Sequence, residues 1–422
     1  MRILIYGLNY IPELTGIGKY TGEMAEWLSL HGHEVHVVTA PPYYPQWSVA
    51  DGVANRWTRE VAKGPTPREQ GEDKGGDLVV FRCPLWVPLK PSGLKRLVHL
   101  ASFALSSVPI LIKHLFWRPD VVWVVAPAFF CAPVAWLTAR FCGAKCWLHI
   151  QDYEVDAAFD LGLLKGRRLR HCVTVIEGWL LRRFDMVSTI SHRMLERAVS
   201  KGVAQPKTVL FPNWADISAV SPDGDRGAYR AELGIDKDTV VALYSGNMGA
   251  KQGLEILAQA AESLQSDSRL AFVFCGNGVG RADLVARCAG LQNVHFLDLQ
   301  PLEKLGALLA TADIHLLPQR ADAADLVMPS KLTGMLASGR PVVATAHQGT
   351  EVARVVAGCG VIVTPEDPQE FANAIAGLAA DLGERARLGR AARIYAEKNL
   401  ARDAVIGAFE QRLIALHEAQ KC

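Results

Sequence analysis

The run Tyr244-Ser-Gly-Asn-Met-Gly-Ala-Lys-Gln-Gly-Leu254 carries residue types that can hold a phosphate. It follows a β-type run, Thr239–Tyr244, and precedes an apolar-periodic helix carrying Leu254, Ile256, Leu257, Ala260 and Leu264. Small residues at a strand end, then a lysine and a helix start, let backbone N–H groups and a cation converge on an anion. Gly246, Asn247 and Lys251 are the candidates. A second strand–loop–helix unit opens the chain, where Gly16 and Gly18 precede the first long helix and would admit a diphosphate at its N-terminus. The spacing is not the GxGxxG of a dinucleotide fold, and that fingerprint is absent after both opening strands, which argues against a nicotinamide-dependent oxidoreductase. Two such loops in two halves predict a cleft closing on a phosphorylated ligand from both sides.

Further candidates sit at comparable places. Gln151-Asp152 ends the strand Cys146–Ile150, at the carboxyl edge where open α/β sheets place ligand groups. His149 shares a strand face with Gln151, as a structural or a site residue. Phe211-Pro-Asn-Trp-Ala-Asp216 offers Asn213, and Phe274-Cys-Gly-Asn-Gly278 offers Gly276 and Asn277. Val327-Met-Pro-Ser-Lys-Leu332 offers Met328, Pro329, Ser330 and Lys331, with backbone N–H groups beginning a helix whose partial positive charge suits a diphosphate. His31, His33 and His36 lack a carboxylate–histidine framework, so no metal is expected there.

The elements that must position these residues are those of an α/β protein. Near-continuous apolar strands alternate with helical patterns, which means parallel sheets covered on both faces. The 422 residues suit more than one core. We expect two Rossmann-like doubly wound domains, 1–215 and 216–395, the second binding the phosphorylated ligand. A helical stretch, 396–422, should pack back on the first domain. Residues 51–77 read as a long polar surface excursion. At 50% hydrophobic and 21% charged residues the chain is an ordinary globular protein, and a net charge of +2 gives no reason to expect nucleic acid as a partner. Nine cysteines without CxxC pairs read as buried free thiols in a reducing cytoplasm. The N-terminal run reads as a strand, not a signal peptide. Val98–Trp117 comes nearest to a membrane span but carries His99, Ser102, Ser106, Ser107, Lys113 and His114. Its basic flanks (Lys90, Lys95, Arg96, Arg118) and a second basic cluster, Lys165–Arg170 with Arg182-Arg183, suit either solvated charge around a core helix or a face lying on an anionic bilayer.

Taken in order, these motifs resemble the retaining glycosyltransferases of the two-domain GT-B fold, family 4, over almost the full length. The Gly16/Gly18 loop, Leu30–Thr39, Pro127, Ser188–Ser191, Pro212–Asp216, Gly276–Gly278, Leu309–Asp313, Leu317-Pro318 and Ser338–Ala344 carry the resemblance. Gln151-Asp152, Ser245–Asn247, Lys251–Gly253 and Met328–Lys331 are most similar to bacterial enzymes of colanic acid and O-antigen assembly, especially fucosyl- and N-acetylfucosaminyl-transferases. The resemblance implies a nucleotide-diphosphate sugar as donor, a polyprenyl-diphosphate-linked saccharide as acceptor with 1–215 as the acceptor-side domain, no cofactor or metal, and a place on the cytoplasmic face of the inner membrane. By position, Gly16 and Gly18 would approach the donor diphosphate, and Asn247 and Lys251 stand for the family's arginine and lysine. Gln151 stands where many members carry a catalytic-site histidine, with Asp152 beside it. The family's two glutamates, eight positions apart, are replaced by Leu326 and Gly334. Asp325 or Asp322 would take over the sugar contact, and Glu351 or a backbone group the ribose contact. The rival readings are a non-hydrolysing nucleotide-sugar epimerase and a non-catalytic nucleotide-sugar-binding scaffold in a polysaccharide assembly complex. The absent glutamates favour the scaffold and the retained lysine argues against it.

Overall fold

The computed structural model describes residues 1–13, 16–62, 76–89, 93–126, 130–153, 156, 166–215, 217, 219–249, 252–321 and 329–419. The chain divides into two compact units, residues 1–211 with 406–422, and residues 212–405.

The first unit holds an eight-stranded sheet. Its strands are β1 (Arg2–Tyr6), β2 (Glu34–Thr39), β3 (Thr58–Ala62), β4 (Leu78–Arg82), β5 (Val121–Ala126), β6 (Lys145–Ile150), β7 (Met186–Thr189) and β8 (Thr208–Leu210). They lie in the order β3-β4-β2-β1-β5-β6-β7-β8, all parallel except β3 against β4. The second unit holds a six-stranded sheet of β9 (Val240–Ser245), β10 (Leu270–Cys275), β11 (Val294–Leu297), β12 (Ile314–Leu317), β13 (Val342–Thr345) and β14 (Gly360–Val363). Its order, β11-β10-β9-β12-β13-β14, is parallel throughout. Ile3, Leu4 and Ile5, or Val241, Ala242 and Leu243, are buried without alternation because helices cover both faces. In each sheet the strand order reverses beside the first strand, at β1/β5 and β9/β12. Loops leaving carboxyl ends there diverge and leave a crevice for a ligand.

The helices of the first unit are α1 (Ile17–Leu30), α2 (Gly93–Trp117), α3 (Cys131–Cys142), α4 (Arg167–Leu181) and α5 (His192–Ser200). Those that follow are α6 (Gly227–Glu232), α7 (Glu255–Ser263), α8 (Arg281–Arg287), α9 (Leu305–Thr311), α10 (Ser330–Ala337), α11 (Glu351–Val356), α12 (Pro368–Ala380), α13 (Leu382–Asn399) and α14 (Arg402–Glu418).

Two expectations need correction. The stretch 51–77 is not all excursion, because Thr58-Arg-Glu-Val-Ala62 forms the antiparallel edge strand. Its polar pattern hid it: an edge strand needs no two-sided apolar cover, and charge there discourages pairing with another chain. Among the described cysteines, all free, Cys172 is exposed where a buried thiol was expected. It lies on α4, whose apolar residues do not all face the core.

By length and composition α2 contains a segment, Lys95–Trp117, long and apolar enough to cross a membrane. In the folded unit one side of it is core. Phe103, Ala104, Ser107, Ile110, Leu111 and His114 are buried, with the Phe103 ring 5.7 Å from that of Tyr6 and Ser107 Oγ 2.6 Å from the Tyr6 hydroxyl. The other side exposes Val98, Leu105, Ile112 and Phe116, spaced as one helical stripe. In α14, Phe409 stacks on Phe211 at 4.4 Å, and Glu410 accepts hydrogen bonds from Trp27 Nε1 at 3.1 Å and from His33 Nε2 at 2.9 Å.

Candidate functional site

In the second unit the site is built where the loops after β9 and β10 close on one another. Gly246 N donates to Cys275 O at 3.0 Å, Met248 N to Asn277 O at 2.9 Å, and Gly280 N to Met248 O at 2.9 Å. Glycine makes that approach possible. A Cβ at Gly276 would fall 1.9 Å from Gly246 O, and one at Gly278 2.6 Å from Met248 O. Both glycines have φ of +149°, which side-chain-bearing residues rarely adopt. The Asn277 amide is satisfied when its nitrogen donates to Gly276 O at 2.9 Å and to Asp298 Oδ1 at 3.2 Å. Asn247 holds the turn through its backbone, its carbonyl accepting from the Tyr244 hydroxyl at 2.7 Å.

Helix α10 enters this corner. Pro329 precedes it with φ of −59°, and among the described residues no side chain caps its first turn. Ser330 is exposed at that end. Lys331 reaches back under the β9 loop, its Nζ 4.4 Å from the Tyr244 ring centroid, 3.4 Å from the Tyr244 oxygen and 3.3 Å from Gln252 Oε1. Burial pulls its pKa down to about 8. Gly246, Asn247, Gly276, Asn277 and Lys331 are thus brought together at the strand-order reversal. Asn213 lies in the opening stretch of the unit, where Ala215 N donates to Leu400 O at 2.8 Å. Lys251, Asp322, Asp325, Leu326 and Met328 lie outside the described residues.

In the first unit, α1 begins at Gly16, with φ of +60° and no side-chain cap. The room that Gly18 leaves is taken by Glu13, whose Cβ lies 2.9 Å from where a Cβ at Gly18 would sit. Glu13 Oε1 accepts from Tyr43 N at 2.9 Å and Tyr44 N at 3.0 Å, while Oε2 accepts from Asn9 Nδ2 at 2.8 Å. This buried carboxylate ties the loop after β1 to the one after β2, and burial raises its pKa. At the carboxyl end of β6, Gln151 Nε2 lies 3.0 Å from His149 Nε2, and His149 Nδ1 lies 2.9 Å from Ser188 Oγ, which also accepts from Trp147 Nε1 at 2.8 Å. Burial lowers the His149 pKa to about 3, so the imidazole is neutral and orients Gln151. Asp152 follows, exposed. The three histidines His31, His33 and His36 turn to different partners: Trp27 O, Glu410 and His114.

Sequence reasoning missed Tyr244, Gln252 and Glu13 as site-building residues. Tyr244 carried a signal, a lone phenol closing an otherwise aliphatic strand. Glu13 and Gln252 carried none, because their partners are distant in sequence or are backbone groups.

A family model described as glycosyl transferase 4-like domain matches residues 15–214, and one described as glycosyl transferases group 1 matches residues 239–381. The chain is 44% identical over 420 residues to the putative colanic acid biosynthesis glycosyl transferase WcaI of Escherichia coli (strain K12), covering 97% of this chain and 98% of that one. Among solved structures it is similar to sucrose-phosphate synthase from Thermosynechococcus elongatus, with TM-score 0.72, 17% identity and coverage of 99% and 100%. It is also similar to Anabaena Alr3699/HepE in complex with UDP-glucose, with TM-score 0.65, 16% identity and coverage of 98% and 100%. The topology and these structural likenesses define the GT-B fold, and the family models and the near-full-length relative make the chain a glycosyltransferase. Within that class the chain belongs to the family 4 glycosyltransferases.

Proposed function

We propose that the protein transfers a sugar from a nucleotide diphosphate to a hydroxyl of a growing saccharide in colanic-acid-type exopolysaccharide or O-antigen assembly, with retained anomeric configuration. The observation that carries this reading is the glycine-zipped corner after β9 and β10, entered by the uncapped start of α10. The near-full-length likeness to a protein named for colanic acid biosynthesis supplies the biosynthetic setting. The chemical demand is to stabilise charge developing on the departing diphosphate. Lys251, from the sequence, and the N–H groups at the start of α10 answer it with the chain's own charge and dipoles. The acceptor hydroxyl attacks from the leaving-group face, and the departing phosphate oxygen takes its proton. Gln151, held by neutral His149, orients the reacting sugar, with Asp152 next to it in the chain; Asp325 is a candidate from the sequence alone. The donor sugar is L-fucose or N-acetyl-L-fucosamine, because a 6-deoxy sugar offers one fewer hydroxyl to a site lacking the family's first glutamate.

The acceptor is a polyprenyl-diphosphate-linked saccharide at the inner cytoplasmic membrane face. The exposed stripe Val98, Leu105, Ile112 and Phe116, flanked by Lys95, Arg96, Lys113 and Arg118, supports that placement, as do Val175, Ile176 and Trp179 on α4 beside Arg182 and Arg183. A screen of nucleotide sugars for thermal stabilisation, followed by transfer assays on the stabilising donor, tests the reading. One or more should raise the melting temperature, since a ligand of the folded state stabilises it. Lys251→Ala should weaken that binding by about tenfold or more, the scale of a lost charged hydrogen bond. A screen in which no nucleotide sugar binds sinks the donor reading, and full binding by Lys251→Ala sinks the lysine's role.

A further inference from the structure

Among the described residues the amine of Lys331 has neutral partners. The Tyr244 hydroxyl directs its own proton to Asn247 O at 2.7 Å, so its oxygen accepts from the amine. Gln252 contributes a carbonyl oxygen, and the Tyr244 ring contributes its electron-rich face. Among the described residues no carboxylate lies within ion-pair distance of Nζ. One helical turn further, where a carboxylate could reach the amine, the chain has Gly334. Among the described residues, the charged groups on the elements around it have other partners. Glu255, at the start of α7, pairs with Arg320 at 3.5 Å. Arg393 on α13 donates to Ala337 O at 2.7 Å, at the far end of α10. The Tyr244 phenol is held above its ordinary range by burial. A half-buried cation with no counter-charge among the described residues is costly, and packing alone would be served by Met or Leu. Two of the three N–H bonds of the ammonium have oxygen partners among the described residues. The third has none among them and can take an anion arriving over Gly246, where a Cβ would lie 3.5 Å from Lys331 Cδ.

We propose that the Lys331 ammonium binds the diphosphate of the nucleotide-sugar donor, supplying the charge that Asn247 lacks in the place of an arginine. The proposal rests on the donor reading above. It assigns to this side chain a contact that the helix start alone does not provide. Binding of the dianion favours the charged amine, so near pH 8 the protein takes up protons as the nucleotide binds.

Calorimetric titration of the full chain with UDP, GDP, ADP and dTDP, at pH 8 in HEPES and in Tris, tests this through the buffer dependence of the heat. With the tightest of these, wild type should take up a sizeable fraction of a proton per nucleotide. Lys331→Met should bind about tenfold or more weakly and take up none. Lys331→Arg should bind within a few-fold of wild type without proton uptake, because guanidinium stays charged. Wild-type affinity and uptake in Lys331→Met overturn the assignment while leaving the donor reading standing. Binding of none of the four by wild type removes the donor reading and this proposal with it. If Lys331→Met does not fold, proton uptake persisting in Lys331→Arg overturns the assignment alone, and its loss supports it.

Discussion

At the scale of single residues, the second unit depends on side chains that are absent. Gly246, Gly276 and Gly278 let the backbones of two neighbouring loops touch, and each stands at positive φ. Gly276→Ala should cost at least about 2 kcal/mol of stability, from a backbone clash at 1.9 Å and a disfavoured φ together. It should also weaken nucleotide binding, because the loops must part. Chemical denaturation and a nucleotide titration check both, and wild-type values in each would mean the zipped corner is not needed. The glycine spacing around Gly276 and Gly278 was legible in the sequence, but its use was not. Which carbonyl a missing Cβ makes room for depends on the pairing of β9 with β10. The same holds for Gly18, where sequence suggested approach to a ligand and the structure puts Glu13 in the space.

At the scale of elements, α2 departs from the usual amphipathic pattern, with an apolar face on each side. Phe103 and Leu111 enter the core, whereas Leu105 and Phe116 are 73% and 86% exposed. Exposed apolar surface of this size forfeits about 25 cal/mol per Å² unless something covers it, and the neighbouring lysines and arginines suit an anionic bilayer. The double variant Leu105→Ser, Phe116→Ser should keep its fold, since neither side chain is in the core. It should lose at least about fivefold in co-sedimentation with phosphatidylglycerol vesicles, the fate of an interfacial helix stripped of anchors. Unchanged partitioning would remove the membrane-surface role from α2. Composition showed that this segment was apolar, and only its packing showed which half of it remains uncovered.

At the scale of the molecule, the first unit holds buried and half-buried histidines in the neutral form. Desolvation lowers His149 to about 3 and, with help from His114, His36 to about 4. Each binds its proton more weakly folded than unfolded, where the value is 6.5. Their stabilising contribution is therefore complete above pH 6.5 and is lost as pH falls towards the folded values. For His149 alone the loss reaches about 2 kcal/mol by pH 5. Hydrogen exchange at β6 and β7 should show protection falling from pH 7.5 to pH 5, after correction for intrinsic rates, with His149→Phe flattening the trend. Protection independent of pH would show that the imidazole is solvated.

Much of the architecture was written in local pattern. Apolar runs of strand length between helical repeats dictate parallel sheets, and the positions of Gly246, Asn247, Gly276 and Lys331 at strand and helix ends follow from the chain order alone. Such signals survive because hydrophobic periodicity and glycine placement act within a few residues. The edge strand Thr58–Ala62 escaped because its environment, not its composition, makes it a strand. Tertiary structure alone decided that Tyr244 and Gln252 face Lys331, that His149 holds Gln151, and that Glu13 joins two loops. Those facts concern which groups lose water together, and residues distant in sequence settle that only when the chain is folded.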